Sequence, residues 1–330
     1  MALDSPRQSR SPGVAALGNP VEFGMKPTPS WLDVHPEVAA ALRQGRPVVA
    51  LESSLIAQGL PYPHNLKAAR LAEGAIRGQG VVPATIAVLN GRPTVGLSDY
   101  TLEELAQPDR HVVKVSRRDL AGAIIQSRTG ATTVASTMHL AWCAGIRIFA
   151  TGGIGGVHPD SVAPWDVSAD LQELARTPVC VVCAGAKSIL DIHRTLEVLE
   201  TLQVPVVGYD SDDFPAFYLR SCGIQVPTRV NAAAAAAALA AIHWAIGGAG
   251  VLLAQPLPRE VALTPEELAA ALEIAEKRAA EEHVRGAKLT PYLLNQLGEL
   301  TNGKTLRANI ALVVNNARLA ARMAVELAEM

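Results

Sequence analysis

From Pro36 onward, short apolar or β-branched runs alternate with helix-patterned stretches, and this alternation limits the fold more than any other feature. PVVALES precedes HNLKAARLAEGAIRGQG, and ATIAVLNG follows. HVVKV precedes RRDLAGAIIQSR, VASTMHLAWCAG leads into IRIFATGG, DLQELAR into PVCVVCAG, and ILDIHRTLEVLETLQ into VPVVGYD. Strands separated by helices are joined by crossovers, so the pattern predicts an α/β layered domain with a mostly parallel sheet covered on both faces. Ligands of such sheets sit beyond the carboxyl ends of the strands. The last third is helical, and TPEELAAALEIAEKRAAEEH opens with a capping pattern at Thr264. No fixed-period repeat and no linker-like break asks for a second domain. Residues 31–330 therefore read as one domain behind an extension, residues 1–30, rich in Ser, Pro, Gly and Arg and expected to be disordered or loosely held.

The 330 residues, 49% of them hydrophobic, suffice for a large core. A formal net charge of −2 supplies no field that would draw the chain to nucleic acid or an anionic membrane, so an anionic ligand must be held by local groups. MALDSPRQSRSPG lacks the apolar core of a secretory signal, and a reducing cytoplasm is expected. Cys180 and Cys183 have a CxxC spacing, but inside a strand the odd offset points them to opposite faces, which predicts buried thiols and no metal or redox pair. Residues 232–256 are long enough to span a bilayer, yet Gly247, Gly248 and Gly250 divide them into an alanine-rich helix, a turn and a strand VLLA. No membrane segment is expected.

The strand ends carry the candidates for chemistry. Glu52 closes PVVALE, where partial desolvation raises a carboxyl pKa and suits a proton donor; a glutamate bonding nearby backbone amides fits the same place. Lys114 in HVVKV faces either solvent or a site, and Ser116 and Asp119 read as N-cap and N3 of the next helix. Thr132 and Thr133 crowd a helix start, a place for capping and equally for binding phosphate through hydroxyls and free amides. ATGGIGGVHPD most resembles a phosphate loop, but it lacks the G-x-G-x-x-G spacing and His158-Pro159 replaces a following helix, which speaks against a nicotinamide cofactor. In WDVSADLQEL, Ser168 reads as an N-cap. Asp166 and Asp170 serve either as turn and helix-dipole residues or as hard oxygen ligands for Mg or Mn completed by substrate. Lys187 is one of only seven lysines and follows the apolar strand and Ala-Gly-Ala turn of VVCAGAKSIL. It reads as N1 or N2 of the helix SILDIHRTLEVLE, a poor place for an ammonium and a good one for an amine of lowered pKa that forms an imine or binds phosphate.

Taken together, ALESS, PATIAVLNG, KVSRRDL, GATTVASTM, FATGGIGGVH, DVSADLQEL, VCAGAKSILD and LRANIALVVNNA closely resemble the pseudouridine-5'-phosphate glycosidase family, pseudouridylate synthases of the indigoidine-synthase-A-like type, from about Pro36 to the C-terminus. The resemblance implies a three-layer α/β/α sandwich, a homotrimer and a divalent cation, typically manganese. It implies reversible cleavage of the carbon-carbon glycosidic bond of pseudouridine 5'-phosphate to uracil and ribose 5-phosphate. By motif, Lys187 matches the nucleophile that forms an imine at C1' of the opened ribose, and Glu52 the proton donor. Lys114, Val134 and the turn Ser168, Ala169 and Asp170 match substrate contacts, and Asp166 matches the metal position. His158 and Asn309 sit in family motifs that line the site, and Thr132 and Thr133 are the expected phosphate contacts. The chain departs from the family pattern at Ser54, where threonine is usual, and at Gln58, where histidine is. Two rival readings are an imine-forming lyase on another phosphosugar and a non-catalytic phosphosugar-binding protein. With no room for a fused sugar kinase, the kinase that makes the substrate is expected to be a separate protein.

Overall fold

In the computed structural model, which describes residues 28–159, 166–286 and 289–330, the strands are β1 (Asp33–Val34), β2 (Val48–Glu52), β3 (Val82–Leu89), β4 (Arg92–Val95), β5 (Val113–Val115), β6 (Gly130–Thr132), β7 (Ile148–Ala150), β8 (Cys180–Cys183), β9 (Val206–Tyr209), β10 (Thr228–Val230) and β11 (Val251–Ala254). The helices are α1 (Pro36–Arg43), α2 (His64–Arg77), α3 (Asp99–Ala106), α4 (Leu120–Ile125), α5 (Val134–Ala144), α6 (Ala169–Leu174), α7 (Ile192–Thr201), α8 (Ala233–Ala245), α9 (Pro265–Glu281), α10 (Leu289–Leu300) and α11 (Lys304–Ala328). The fold is the three-layer α/β/α sandwich that the alternation and the resemblance imply.

One sheet runs β1-β4-β3-β2-β7-β8-β11-β9-β10, with β6 bonded to β3 and β5 to β6. Pairing is parallel except where β4 and β6 meet β3. The antiparallel β3–β4 pair is a hairpin closed by Asn90 and Gly91, both at positive φ, the turn chemistry that Asn-Gly favours between strands. Its strand run PATIAVLNG shows the turn residues, but the crossover pattern elsewhere hides the reversal.

The central strands are apolar on both faces: Val49, Ala50, Phe149, Val181, Val182 and Leu252 are fully buried, as covered parallel strands require. Helix α11 lies across β2, β7 and β8 and also meets α2 and α8, while α5 packs on β2 and β3. Cys180 and Cys183 are buried free thiols, and desolvation pushes Cys183 up to about 12 and Cys180 also upward, so neither is a ready thiolate. Residues 232–256 form α8, a turn with Gly247 at positive φ, and β11. Among the described residues no helix is long and apolar enough to cross a membrane. The capping boxes expected at Ser116 and Thr264 are both formed.

Two boundaries differ from the sequence reading. The chain joins the sheet at Asp33, ahead of Pro36, and Ser30 is already held, its carbonyl accepting from Arg92 at 3.3 Å. Residues 1–27 of the expected extension lie outside the described residues. The second difference concerns Lys187, which is not in a helix. Asp191 caps α7 by accepting from Arg194 N, and Lys187 to Leu190 form a separate turn closed by Leu190 N donating to Lys187 O at 3.0 Å. Lys187 therefore stands before the cap of α7 and not in its first turn.

What does place Lys187 is Gly185. It lies at φ +83°, and a Cβ there would stand 1.8 Å from the carbonyl oxygen of Pro215. No side chain fits that approach. Replacing Gly185 with Ala should lower the denaturant midpoint by an amount equivalent to on the order of 3 kcal/mol. Gly74 in α2 has nothing within 4 Å of such a Cβ, and Gly74→Ala should stabilise by about 0.5–1 kcal/mol. Equal midpoints for the two variants would contradict the close approach.

Candidate active site

β2, β7 and β8 are adjacent and parallel, in a register that pairs Leu51 with Ala150 and Ala150 with Val182. Their carboxyl ends are thus level, and a cleft of about 570 Å³ opens beyond them. Glu52 ends β2, the glycine loop follows β7, and Lys187 follows β8; all three line the cleft. Lys114, Thr133, Val134, His158, Asp166, Ser168, Ala169, Asp170 and Asn309 line it too, so nearly all the sequence-derived candidates converge.

Thr132 is the exception. Fully buried, its hydroxyl donates to Ile86 O at 2.6 Å and accepts from Thr137 at 2.9 Å, and it is absent from the cleft wall. It is a strand-end clamp, and of the two threonines expected at a phosphate only Thr133 lines the cleft. The glycine loop lines the cleft, with most of the bonding shown for it directed inward. Three of its amides are spent inside the protein: Ile154 N on Gly185 O, Gly155 N on Asp170 Oδ2 and Val157 N on Thr195 Oγ1. Its glycines answer to packing, since a Cβ on Gly155 would meet Ser168 Oγ at 2.3 Å and one on Gly156 would meet Thr195 Oγ1 at 2.3 Å.

Each carboxylate in the wall has a different setting. Glu52 accepts from the Thr151 hydroxyl on Oε1 and from the Ser54 hydroxyl on Oε2. Asp170 is buried and accepts from Ala135 N and Gly155 N, both at 2.9 Å, tying the start of α5 to the glycine loop. Ser168 caps α6 by accepting from Asp170 N, as its sequence position predicts. Asp166 O accepts from His158 N at 2.9 Å, and its carboxylate has no hydrogen-bond donor among the described residues.

Buried polar atoms without a partner gather here. Among the described residues five side-chain atoms are buried and unbonded, and four of them, Gln58 Oε1, Thr133 Oγ1, His158 Nδ1 and Asn309 Oδ1, belong to cleft-lining residues. An unmet buried polar group costs about 1–3 kcal/mol, so a wall that collects them is built for a polar occupant or for bound water. Gln58 Nε2 donates to Val112 O at 3.0 Å, so the glutamine is held as an amide where the family pattern has a titratable histidine.

Lys114 keeps much of its own surface open, yet the walls crowd its ammonium. Desolvation pushes its pKa below the usual lysine value, Lys187 adds to this, and Asp170, Glu52 and Asp166 offset part of it. Burial likewise lowers His158, with Asp166 opposing and the two lysines reinforcing the shift. The charged groups of β2, β5, α6 and the Lys187 turn therefore share one electrostatic environment. Among the wall residues Phe217 and Thr290 were not foreseen, nor was Thr151 behind Glu52. Phe217 sits at φ 60° with its ring where a Cβ of Gly153 would fall, and Thr290 reaches His158 Nε2 at 3.4 Å. Of these only Thr151, at a strand end before Gly-Gly, carried a sequence signal.

A family model described as "Indigoidine synthase A like protein" matches residues 37–326. The chain belongs to this family. A pseudouridine-5'-phosphate glycosidase of Deinococcus radiodurans is 53% identical over 302 residues, covering 91% of this chain and 96% of the relative. One of Chloroflexus aurantiacus is 52% identical over 303 residues, covering 91% and 99%. Among solved structures of similar fold, the prealnumycin C-glycosynthase AlnA in complex with ribulose 5-phosphate matches with a TM-score of 0.83 at 39% identity, over 91% of this chain and 98% of that one. An indigoidine synthase A-like protein of Thermotoga maritima matches with a TM-score of 0.82 at 32% identity, over 92% and 99%.

In this member of the indigoidine synthase A-like family, the Lys114 environment has a measurable consequence. A lysine whose folded pKa is lowered costs stability while charged; the cost is full below the folded value and fades as pH rises towards the unfolded value of 10.5. Lys114→Met should therefore melt above the wild type at pH 7, with the gain shrinking as pH approaches 10.5. A gain that grows with pH, or a loss at neutral pH, would contradict the desolvated setting.

Proposed function

We propose that the chain cleaves the carbon-carbon glycosidic bond of pseudouridine 5'-phosphate reversibly, giving uracil and ribose 5-phosphate, with Lys187 as nucleophile and Glu52 as proton donor. The observation that carries the reading is the convergence of Glu52 and Lys187 on one cleft from the ends of β2 and β8, in a chain about half identical to enzymes named for this reaction. The bond to C1' has no bridging oxygen to protonate, so the two-carboxylate scheme for ordinary glycosides does not transfer.

A lysine supplies an electron sink instead. Lys187 Nζ bonds C1' as the C1'–O4' bond breaks, the ring oxygen taking a proton and the nitrogen losing one. Glu52 then delivers a proton to C5 of the uracil ring. The C1'–C5 electron pair returns to the ring, and the nitrogen lone pair closes the C1'=N imine. Water hydrolyses the imine, restoring Lys187 and releasing ribose 5-phosphate. Thr133, Val134 and Lys114 form the expected phosphate end: the Thr133 hydroxyl is unbonded, the Val134 amide opens α5, and Lys114 brings a point charge. Ser168, Ala169, Asp170, His158 and Asn309 complete the sugar and base walls.

Asp166 is the residue that would hold a divalent cation, Mn or Mg. Its carboxylate lines the cleft without a protein donor among the described residues, which suits a hard, water-rich ion completed by substrate. When bound, such an ion would neutralise substrate oxygen charge and hold it in place. The same reading has residues 31–330 acting as one domain, assembled as a homotrimer in the cytoplasm and taking a small-molecule substrate without nucleic acid or membrane.

The likeness to AlnA favours a second reading, an imine-forming enzyme that acts on a different phosphosugar or acceptor. A uracil-release assay separates the two. Wild type should release uracil from pseudouridine 5'-phosphate and not from uridine 5'-phosphate, and Lys187→Ala should lose at least about 1000-fold in rate. Release from neither substrate would favour the second reading, and an active Lys187→Ala would remove the imine. Exhaustive chelation should abolish activity, manganese should restore it, and Asp166→Asn should raise the manganese required at least about tenfold. Full activity after chelation would remove the cation.

A further inference from the structure

Behind Glu52 a chain of buried amides and hydroxyls crosses the ends of the parallel strands. Gln255, which follows β11, is 5% exposed, and its Nε2 donates to Asn316 Oδ1 at 3.0 Å. Asn316, in the middle of α11, is fully buried among apolar neighbours that include Leu312, Val313 and Ala320. Its Nδ2 donates to Thr151 O at 2.7 Å and to Gly152 O at 3.3 Å. Thr151 is 2% exposed, and its hydroxyl donates to Glu52 Oε1. Backbone bonds fix the same peptides from β8: Thr151 N donates to Val182 O at 3.0 Å, Ala184 N to Gly152 O at 2.9 Å, and Gln255 N to Cys183 O at 2.9 Å.

We propose that Thr151 and Asn316, backed by Gln255, are positioning residues that hold the Glu52 carboxyl at the angle from which it delivers its proton. The proposal rests on the reading of Glu52 as proton donor. An amide buried in an apolar helix face is costly unless both its oxygen and its nitrogen are bonded, and those of Asn316 are, which favours one arrangement of the network. The Thr151–Gly152 peptide cannot drift without orphaning Asn316. The side chain that this peptide presents to Glu52 is a hydroxyl, and a hydroxyl can turn. It donates to the carboxylate and accepts from the protonated acid, so it serves Glu52 on both sides of a proton transfer. A methyl in its place serves neither, and a fixed amide N–H serves only one.

A network that merely pins α11 to the sheet would predict something different, and one experiment separates the two. Three readouts are taken on Thr151→Val, Thr151→Ser and Asn316→Ala: kcat for uracil release, KM for pseudouridine 5'-phosphate, and the extent of borohydride trapping of ribose 5-phosphate on the enzyme. Trapping needs the lysine and the sugar but no proton delivered to uracil. Thr151→Val should lose about 100-fold in kcat, the low end of what a positioned general acid supplies, with KM within about twofold and trapping as in the wild type. Thr151→Ser should recover most of kcat, and Asn316→Ala should lose kcat in the same selective way. Uracil release at the wild-type rate by Thr151→Val overturns the proposal. So does loss of trapping and release together, because that pattern marks a distorted cleft and not a misdirected Glu52. Absence of trapping in the wild type would strike the imine reading itself, which separates the two failures.

Discussion

The register of three parallel strands is the constraint on which the site depends. Because Leu51, Ala150 and Val182 stand level across β2, β7 and β8, the next residues of these strands emerge at one height beyond the sheet. They are Glu52, Thr151 and the short run that ends in Lys187. A slip of one residue would turn each strand's side chains to the opposite face and take Glu52 away from Thr151. Unbroken apolar runs protect the register: both faces of these strands are covered, so any slip would leave the α5 and α11 contacts mismatched.

That rigid edge supports a site with many unmet demands. Four cleft residues carry buried polar atoms without partners, and desolvation and a second lysine push the Lys114 pKa down. Each of these lowers stability, as is common where binding and catalysis need groups that the fold itself does not satisfy. Bonded groups brace the same wall. Asp170 joins α5 to the glycine loop, and Asn316 joins α11 to the peptide after β7. Residues with unsatisfied polar atoms thus line the cleft beside bonded ones that fix its walls, the arrangement expected when a preorganised wall awaits a polar substrate.

Much of this was legible in the sequence because alternation of strand and helix patterns is local and strong. The sheet, its mostly parallel pairing and the gathering of Glu52, Lys114 and Lys187 at strand ends all follow from it, while Asp166 was read as a loop residue whose metal role came from the resemblance. Lys187 looked helical because SIL continues the apolar pattern into α7, yet Asp191 makes the better cap and the turn before it is closed by its own backbone. The loop glycines admit Ser168, Thr195 and Phe217 at close range, a packing need that the pattern of an anion cradle also fits. The Thr132 hydroxyl serves a strand end. Asn316 and Gln255 were invisible for a different reason: they lie 61 residues apart in a helix and after a strand, and only tertiary packing brings them to Thr151.

The central claim is that the Lys187 amine, and no other, bonds the sugar carbon. Two lysines, Lys114 and Lys187, line the cleft among the described residues, so the claim is a choice between them. The direct test reduces the enzyme with borohydride in the presence of ribose 5-phosphate, digests it and maps the sugar-bearing peptide by mass spectrometry. The account predicts the adduct on the peptide that contains Lys187 and none on the peptide that contains Lys114. An adduct on Lys114, or an enzyme that turns over without forming one at Lys187, would contradict it.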